Sequence, residues 1–463
     1  MSKTWANSGV DLHVDLTGTR VRAGLESALR DAVRAGRLHP GERLPSSRAL
    51  AADLGIASNT VADAYGQLVA EGWLAARTGS GTWVTRRQVP ERDRPAAPAS
   101  GAGGPRYDLR PGVPDLAAFP RRAWLAAARR AVNAAPAGVL GYPDPRGLPQ
   151  LRMVLAGYLS RARGVIASPE RVVVCAGFAP GLAAVCHALR ARGARTIAVE
   201  AYGQQVHRLV AEAQGLRSAP LPVDAGGAVP DHLAGADAAL LTPAHQFPLG
   251  VTLRPPQRRA VAEWAIDTAG VVIEDDYDGE FRYDRQPVGA MQALAPEHVV
   301  YAGTASKSLA PGLRLGWLVL PAHLVDAVVA AKESAGELNS ALDQLTLAEF
   351  ITSGAYDRQI RHSRLAYRRR RDQLATVLRR QAPQVRVTGI AAGLHALIEL
   401  TESDREDDIV ARAAEHGLAV DGLERYGAPG AHHGPALVVG YGRPPEHAFT
   451  TALARLCAVL NPG

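Results

Sequence analysis

Lysine is nearly absent. The chain has three, Lys3, Lys307 and Lys332, against 49 arginines among 463 residues. Cysteine is equally scarce. Cys175, Cys186 and Cys457 are scattered, which excludes a disulfide framework and a zinc-type spacing and fits a reducing compartment. No apolar run approaches the ~20 residues needed to cross a bilayer, and Met1–Asn7 lacks the apolar core of a secretory leader. The expected location is the cytoplasm, with no membrane partner. A local excess of positive charge is also missing where a nucleic-acid reader often holds it. The chain carries a net charge of +7, yet residues 1–85 contain nine Lys/Arg and eight Asp/Glu, a balance of +1. Nucleic-acid contact in that stretch must come from placed residues, not from a broad field.

What is present begins with a hydrophobic fraction of 47%, enough for a large core, and a length that calls for two parts. Residues 86–105, RRQVPERDRPAAPASGAGGP, are rich in Pro, Ala and Gly without helical periodicity. They read as a linker between a unit of residues 1–85 and one of residues 106–463. In the second unit, the apolar runs 171–176, 196–199, 238–241, 270–274 and 298–302 read as buried parallel strands separated by segments of helical period. That alternation predicts an α/β domain with a mainly parallel sheet.

The retained Lys307 poses a chemical question. Arg stays protonated in proteins and Lys can lose its proton, so only Lys can serve as a nucleophilic amine. The chemistry that most needs one is a Schiff base with an aldehyde, as at pyridoxal 5'-phosphate (PLP) sites. The plainer reading of Lys307 is one solvated cation among many. Its segment, GTASKSLAPGLRLG (303–316), argues against that.

In the first unit, Val21, Leu25, Leu29 and Val33 share one helical face between residues 19 and 35. Residues 36–45 read as a turn-rich connector. Ser46 suits the cap of a helix over 47–54 ended by Gly55. A third helix starts near Ser58, places Val61, Tyr65 and Leu68 on one side, and stops at Gly72. These make a helix-turn-helix. LAARTGSGTWVT (74–85) reads as two strands with a Gly-Ser-Gly tip, a wing. LPSSRALA (44–51), Leu54-Gly55, Asn59-Thr60-Val61 and GSGT (79–82) resemble the winged helix of the GntR family. The resemblance implies that Arg43 and Arg48 contact double-stranded operator DNA. It implies that Ser58, Asn59 and Thr60 meet phosphates and base edges, and that Gly79 and Gly81 let the wing approach a groove. Where the family usually has Ser-Arg before Asn-Thr-Val, this chain has Ala57-Ser58. One positive contact is missing, and Ser58 is expected to cap the helix. The alternative is a protein-interaction module whose polar residues only cap helices.

Four segments carry chemistry in the second unit. VVIEDDYD (271–278) is a strand ending in carboxylates, where ligands bind in doubly wound sheets. A carboxylate there keeps a pyridine nitrogen protonated, and Tyr277 can donate to the ring's phenolic oxygen; the plainer reading is a solvated acidic turn. Near Lys307, Ser306 and Arg314 suit a phosphate. In TPAHQFPLG (242–250), His245 and Gln246 can reach the ring, although a lone His is more often structural. CAGFAPGL (175–182) is a strand-to-helix turn whose N–H groups after Gly177 can cradle phosphate. With YPDPRG (142–147) and RPGVPD (110–115), these segments resemble the MocR subfamily of GntR regulators. The effector domain of that subfamily is similar to fold-type I aminotransferases. The resemblance implies PLP held by Lys307 as an internal aldimine, Asp275 at the pyridine nitrogen, Tyr277 at the phenolic oxygen and Arg314 near the phosphate. It also implies a homodimer that presents two DNA-reading units. No metal site is expected.

Three positions depart from the family pattern. Gln204 stands where a ring-stacking aromatic is common, with Tyr202 displaced. Pro180 replaces a polar residue at the phosphate turn. Val438 stands where aminotransferases carry the Arg that clamps a substrate carboxylate. Without a forked cation an α-carboxylate is poorly held. The expectation is therefore a transcription regulator without full transamination, sensing PLP and controlling vitamin B6 synthesis genes as PdxR-like members do. The alternatives are a regulator responding to an amine or amino acid through an external aldimine, a true aminotransferase with an accessory DNA-binding unit, and a DNA binder whose PLP site is vestigial. DRQIRHSRLAYRRRRD (357–372) falls outside this scheme. It places Arg358, Arg361, Arg364 and Arg368 to Arg371 at helical spacing. The plainer reading is a solvated helix with intramolecular ion pairs; the other is a second electrostatic footprint for long or bent DNA.

Overall fold

A computed structural model describes residues 21–77, 80–85, 105–283 and 288–461. The chain divides into two compact units between Gly103 and Gly104. Of the expected linker, only Pro105 lies among the described residues.

The first unit runs α1 (Val21–Arg34), β1 (Arg43–Leu44), α2 (Ser47–Leu54), α3 (Ser58–Ala70), β2 (Leu74–Arg77) and β3 (Gly81–Val84). Leu25, Leu29 and Ala32 of α1 close over Leu50, Leu54, Val61, Tyr65 and Leu68. Ser46 caps α2 by accepting from the Ala49 N–H at 3.2 Å, a bond of a kind that stabilises a helix by ~1 kcal/mol. Gly55, in the left-handed region at φ 64°, ends it. The cap expected from Ser58 is not there. Ala57 holds the cap position of α3, no side chain bonds to it, and Ser58 is the first helical residue. The Ser58 side chain is exposed and left for an outside partner. β2 and β3 form the wing hairpin. The two-residue β1, read in the sequence as connector, pairs antiparallel with β3 and closes a three-stranded sheet. Two ties fix α3: the Tyr65 hydroxyl donates to Pro45 O at 3.1 Å, and Arg30 grips Glu71 through two 2.8 Å bonds. That guanidinium holds the Glu71 carboxyl down at about 2.

The second unit is built on a seven-stranded sheet in the order Val172–Cys175, Gly316–Val319, Val299–Thr304, Val271–Asp275, Ala238–Leu241, Thr196–Glu200, Arg217–Leu221. All five strands expected from apolar runs are present. Gly316–Val319 is antiparallel to both neighbours; the remaining neighbour pairs are parallel. Separate apolar clusters cover the two sides of this sheet, which is why its inner strands are apolar throughout instead of alternating. A four-stranded antiparallel sheet follows, with Ala436–Gly440 paired to His395–Glu399. Glu200, Leu241, Asp275 and Thr304 end parallel strands along one edge of the main sheet, where α/β sheets hold ligands. Among the described residues no helix is long and apolar enough to cross a membrane.

Candidate functional site

A cavity of about 350 Å³ opens at that edge. The acidic strand end supplies it with one carboxylate out of four. Glu274 accepts from the Met291 and Gln292 N–H groups at 2.9 Å each. Asp276 is gripped by Arg163 at 2.6 and 2.9 Å and receives the Tyr301 hydroxyl at 2.8 Å. Asp278 Oδ2 lies 2.8 Å from His245 Nδ1. Asp275, on the opposite side of the pleat from its two neighbours, lines the cavity at 5% exposure and receives no hydrogen bond from any described residue. Burial pushes its carboxyl well above the ordinary range; the Lys307 cation opposes this, and Asp276 and Asp278 add to it. A buried carboxylate without a donor costs on the order of 1–3 kcal/mol or more. Asp275 is a standing demand for a donor presented from the cavity.

Lys307 lines the same cavity, in the short helix Ala305–Ser308 that begins where the strand Val299–Thr304 ends. Its Nζ donates to Gly112 O at 2.5 Å. Burial lowers its ammonium below the usual lysine value, while Asp275 and Asp278 pull it back up. Lys3 lies outside the described residues. Lys332 is buried in the core and donates to the Val174 carbonyl. Lys307 is thus the one lysine that lines the cavity.

An anion-favouring end is assembled from three separate segments. Helix Phe178–Ala191 starts after Gly177, so its first N–H groups and its dipole favour negative charge there. Gly177 has φ 113°, and a Cβ at that position would stand 3.4 Å from Arg314 Nη1. Arg314, itself left-handed at φ 51°, is the one arginine lining the cavity among the described residues. Ser306 lines it too, with its Oγ 2.9 Å from the Thr304 hydroxyl. Pro180 sits in the first turn of the helix, where a missing N–H leaves no bond unmade.

Other residues fall elsewhere. Tyr277 lines the cavity, but His245 and Gln246 do not. His245 lies behind Tyr277, with Nδ1 3.1 Å from the Tyr277 hydroxyl, and Gln246 is spent on Glu200, Tyr202 and Phe247. The His395 ring lies 4.9 Å from that of His245, tilted by 33°, buried, with Nε2 unpartnered; burial first, then His245, lowers it well below an ordinary histidine. Both Tyr202 and Gln204 line the cavity, joined by Phe178 and His207, whose rings meet at 4.7 Å. Sequence reasoning missed these last two. Phe178 was hidden as one apolar residue at a helix start, and His207 lies three residues beyond the turn that was read. Burial, then Lys307 and Arg208, lowers His207 to about 4. Val438 is fully buried with Phe247, Tyr202 and Tyr426 in an apolar cluster.

On the first unit, Arg43, Arg48, Ser58, Asn59 and Gly81 are exposed and Thr60 half-buried. Arg43 lies against the wing: a Cβ on Gly81 would meet its Nε at 2.9 Å, and its guanidinium sits 5.9 Å over the Trp83 ring. Gly79 lies outside the described residues.

Known proteins share both units. The pattern of bacterial regulatory proteins of the gntR family matches residues 22–84, and that of aminotransferase class I and II matches residues 109–431. The HTH-type pyridoxine biosynthesis transcriptional regulator PdxR of Corynebacterium glutamicum is 32% identical over 96% of this chain and 97% of its own. The probable rhizopine catabolism regulatory protein MocR of Rhizobium meliloti is 32% identical over 84% of each chain. An archaeal alanine:glyoxylate aminotransferase shares the fold of the second unit, with a TM-score of 0.69 at 23% identity over 76% of this chain and 90% of that one. Full-length likeness to two such regulators, with a winged helix ahead of an aminotransferase fold, means that the chain belongs to the MocR subfamily of GntR-type transcriptional regulators.

Proposed function

We propose that this regulator binds PLP in the cavity and that PLP itself is its signal. The observation that carries the reading is a buried, donorless Asp275 in the same cavity as its one lysine. When bound, the cofactor would supply an aldehyde to the Lys307 amine and an electron-withdrawing pyridine ring. Asp275 would accept from the ring N–H, which would relieve the cost of its own burial. Tyr277, steadied by His245 and Asp278, faces the ring oxygen. Arg314, Ser306 and the helix start after Gly177 hold the phosphate.

Amino-acid turnover is not expected. Arg314 is assigned to the phosphate end and the position of Val438 lies within apolar packing, so among the described residues lining the cavity no further arginine is left for an α-carboxylate. The PdxR relative is named for pyridoxine biosynthesis, which supports vitamin B6 genes as the target. Arg43, Arg48, Ser58, Asn59, Thr60, Gly79 and Gly81 are assigned to operator DNA, with two copies of the chain acting as a homodimer. Ligand state shifts the population of DNA-competent dimers through differential affinity.

A gel-shift titration on DNA from upstream of its own gene tests this. PLP alone should change affinity about tenfold, within the usual range of coupling free energies. No change with PLP, or a change only when an amino acid is also present, contradicts PLP as the signal.

A further inference from the structure

The long helix Ala355–Gln381 plays no part in the reading above. Arg358, Arg361, Arg368, Arg369, Arg379 and Arg380 are all exposed on it. At 3.6 residues per turn they fall, with His362, on about a third of the helix circumference. From Arg358 to Arg380 the stripe is ~33 Å long, close to the ~34 Å of one turn of B-DNA.

Intramolecular ion pairs are present on this helix, as the plainer sequence reading expects, but they leave part of the stripe uncompensated. Asp372 is the one carboxylate on the stripe, 3.9 Å from Arg368 and 3.7 Å from Arg371. Asp357, at its edge, is taken by Arg161 at 3.0 Å. Arg370 is buried and pairs with Asp115, and Arg364 bonds the Glu280 carbonyl. Among the described residues, Arg361, Arg369 and Arg380 have no hydrogen bond or ion pair. Gln359 bonds Ala118 O at 3.4 Å, which brings the start of helix Arg121–Ala134 alongside with exposed Arg121 and Arg122. The second unit as a whole is also basic, with a net charge of +4 in residues 106–463 against +1 in residues 1–85.

Like charges held on one rigid face repel unless something neutralises them. A second copy of the chain cannot do so through this face, because a two-fold contact would set arginine against arginine. A polyanion with regularly spaced charges can. We propose that this helix face binds the phosphate backbone of double-stranded DNA irrespective of sequence, adding to whatever the winged helix reads.

The test is fluorescence anisotropy of the full chain on a random-sequence duplex of about 40 base pairs, some four helical turns, from ~50 to ~200 mM KCl. In R361Q/R369Q/R380Q, loss of three phosphate contacts should lower the slope of log affinity against log salt by about 2.7. Affinity should fall at least about tenfold at low salt. The R361K/R369K/R380K variant keeps the point charges and should bind within about threefold of the parent chain. An unchanged slope and affinity in the glutamine variant overturns the proposal. So does a variant that keeps its DNA binding but loses binding to phosphatidylserine vesicles, which would make a membrane surface the occupant.

Discussion

The Tyr277 hydroxyl lies 3.1 Å from His245 Nδ1, the same nitrogen that stands 2.8 Å from Asp278 Oδ2. Tyr277 is therefore set from behind, and His395, tilted against His245, adds no second proton donor of ordinary basicity.

One consequence concerns spectra. A phenol donating to the ring oxygen most favours the form in which that oxygen's charge is least compensated. Weakening that donor should raise the pH midpoint of the bound cofactor's visible absorbance change. We expect His245→Asn to raise it by about one unit, the scale of a lost charge-assisted bond, and Tyr277→Phe to move it in the same direction. A pH titration in which His245→Asn matches the parent chain contradicts the arrangement.

Asp275 should act with opposite signs on stability and on affinity. Asp275→Asn removes a buried acid that receives no hydrogen bond from any described residue. The ligand-free chain should gain on the order of 1 kcal/mol of stability, while PLP affinity falls about tenfold to a hundredfold. Denaturant unfolding without ligand, paired with a PLP titration, reads both. If stability and affinity fall together, the side chain is structural and the donorless reading is wrong.

Glu200 gives a pH dependence of stability. It lines the cavity, and its Oε2 accepts from the Thr242 hydroxyl at 2.5 Å and from Gln246 at 3.2 Å. Burial outweighs these bonds and pushes its carboxyl up to about 7. Between the unfolded value of about 4.5 and about 7, the folded chain binds the extra proton, so this group's contribution to stability falls as pH rises. The loss is complete above about 7. Relative to Glu200→Gln, the parent chain should lose up to roughly 3 kcal/mol across that window. Urea unfolding at several pH values in it would show the difference. A gap between the two chains that stays constant with pH contradicts it.

Much of this was legible from sequence because the information was local. Ser46 and Gly55 bracket α2 as their chemistry dictates, and five apolar runs became five strands of the main sheet. What escaped was non-local. β1 has two residues and exists only through its pairing with β3. Gly316–Val319 begins at the last residue of the Lys307 segment, and its short apolar run was not read as a strand. Arg217–Leu221 contains Pro220 and lies at a sheet edge, so its pattern is diluted. In the site, the acidic strand end showed that carboxylates gather there. It could not show that Glu274, Asp276 and Asp278 are each engaged by groups distant in sequence, leaving Asp275 alone. His245 belongs to the same lesson, since its position behind Tyr277 depends on a contact between residues 32 apart in sequence. Ser58 failed as a cap because α3 starts one residue earlier in register than its polar residues suggested.

The central claim is that Lys307 is the amine that carries the cofactor. Borohydride reduction of the PLP-loaded chain, followed by peptide mass mapping, tests it most directly. A phosphopyridoxyl group on the peptide containing Lys307, absent in Lys307→Ala, is the result this account predicts. An unmodified Lys307, or the same group on Lys332 instead, would contradict it.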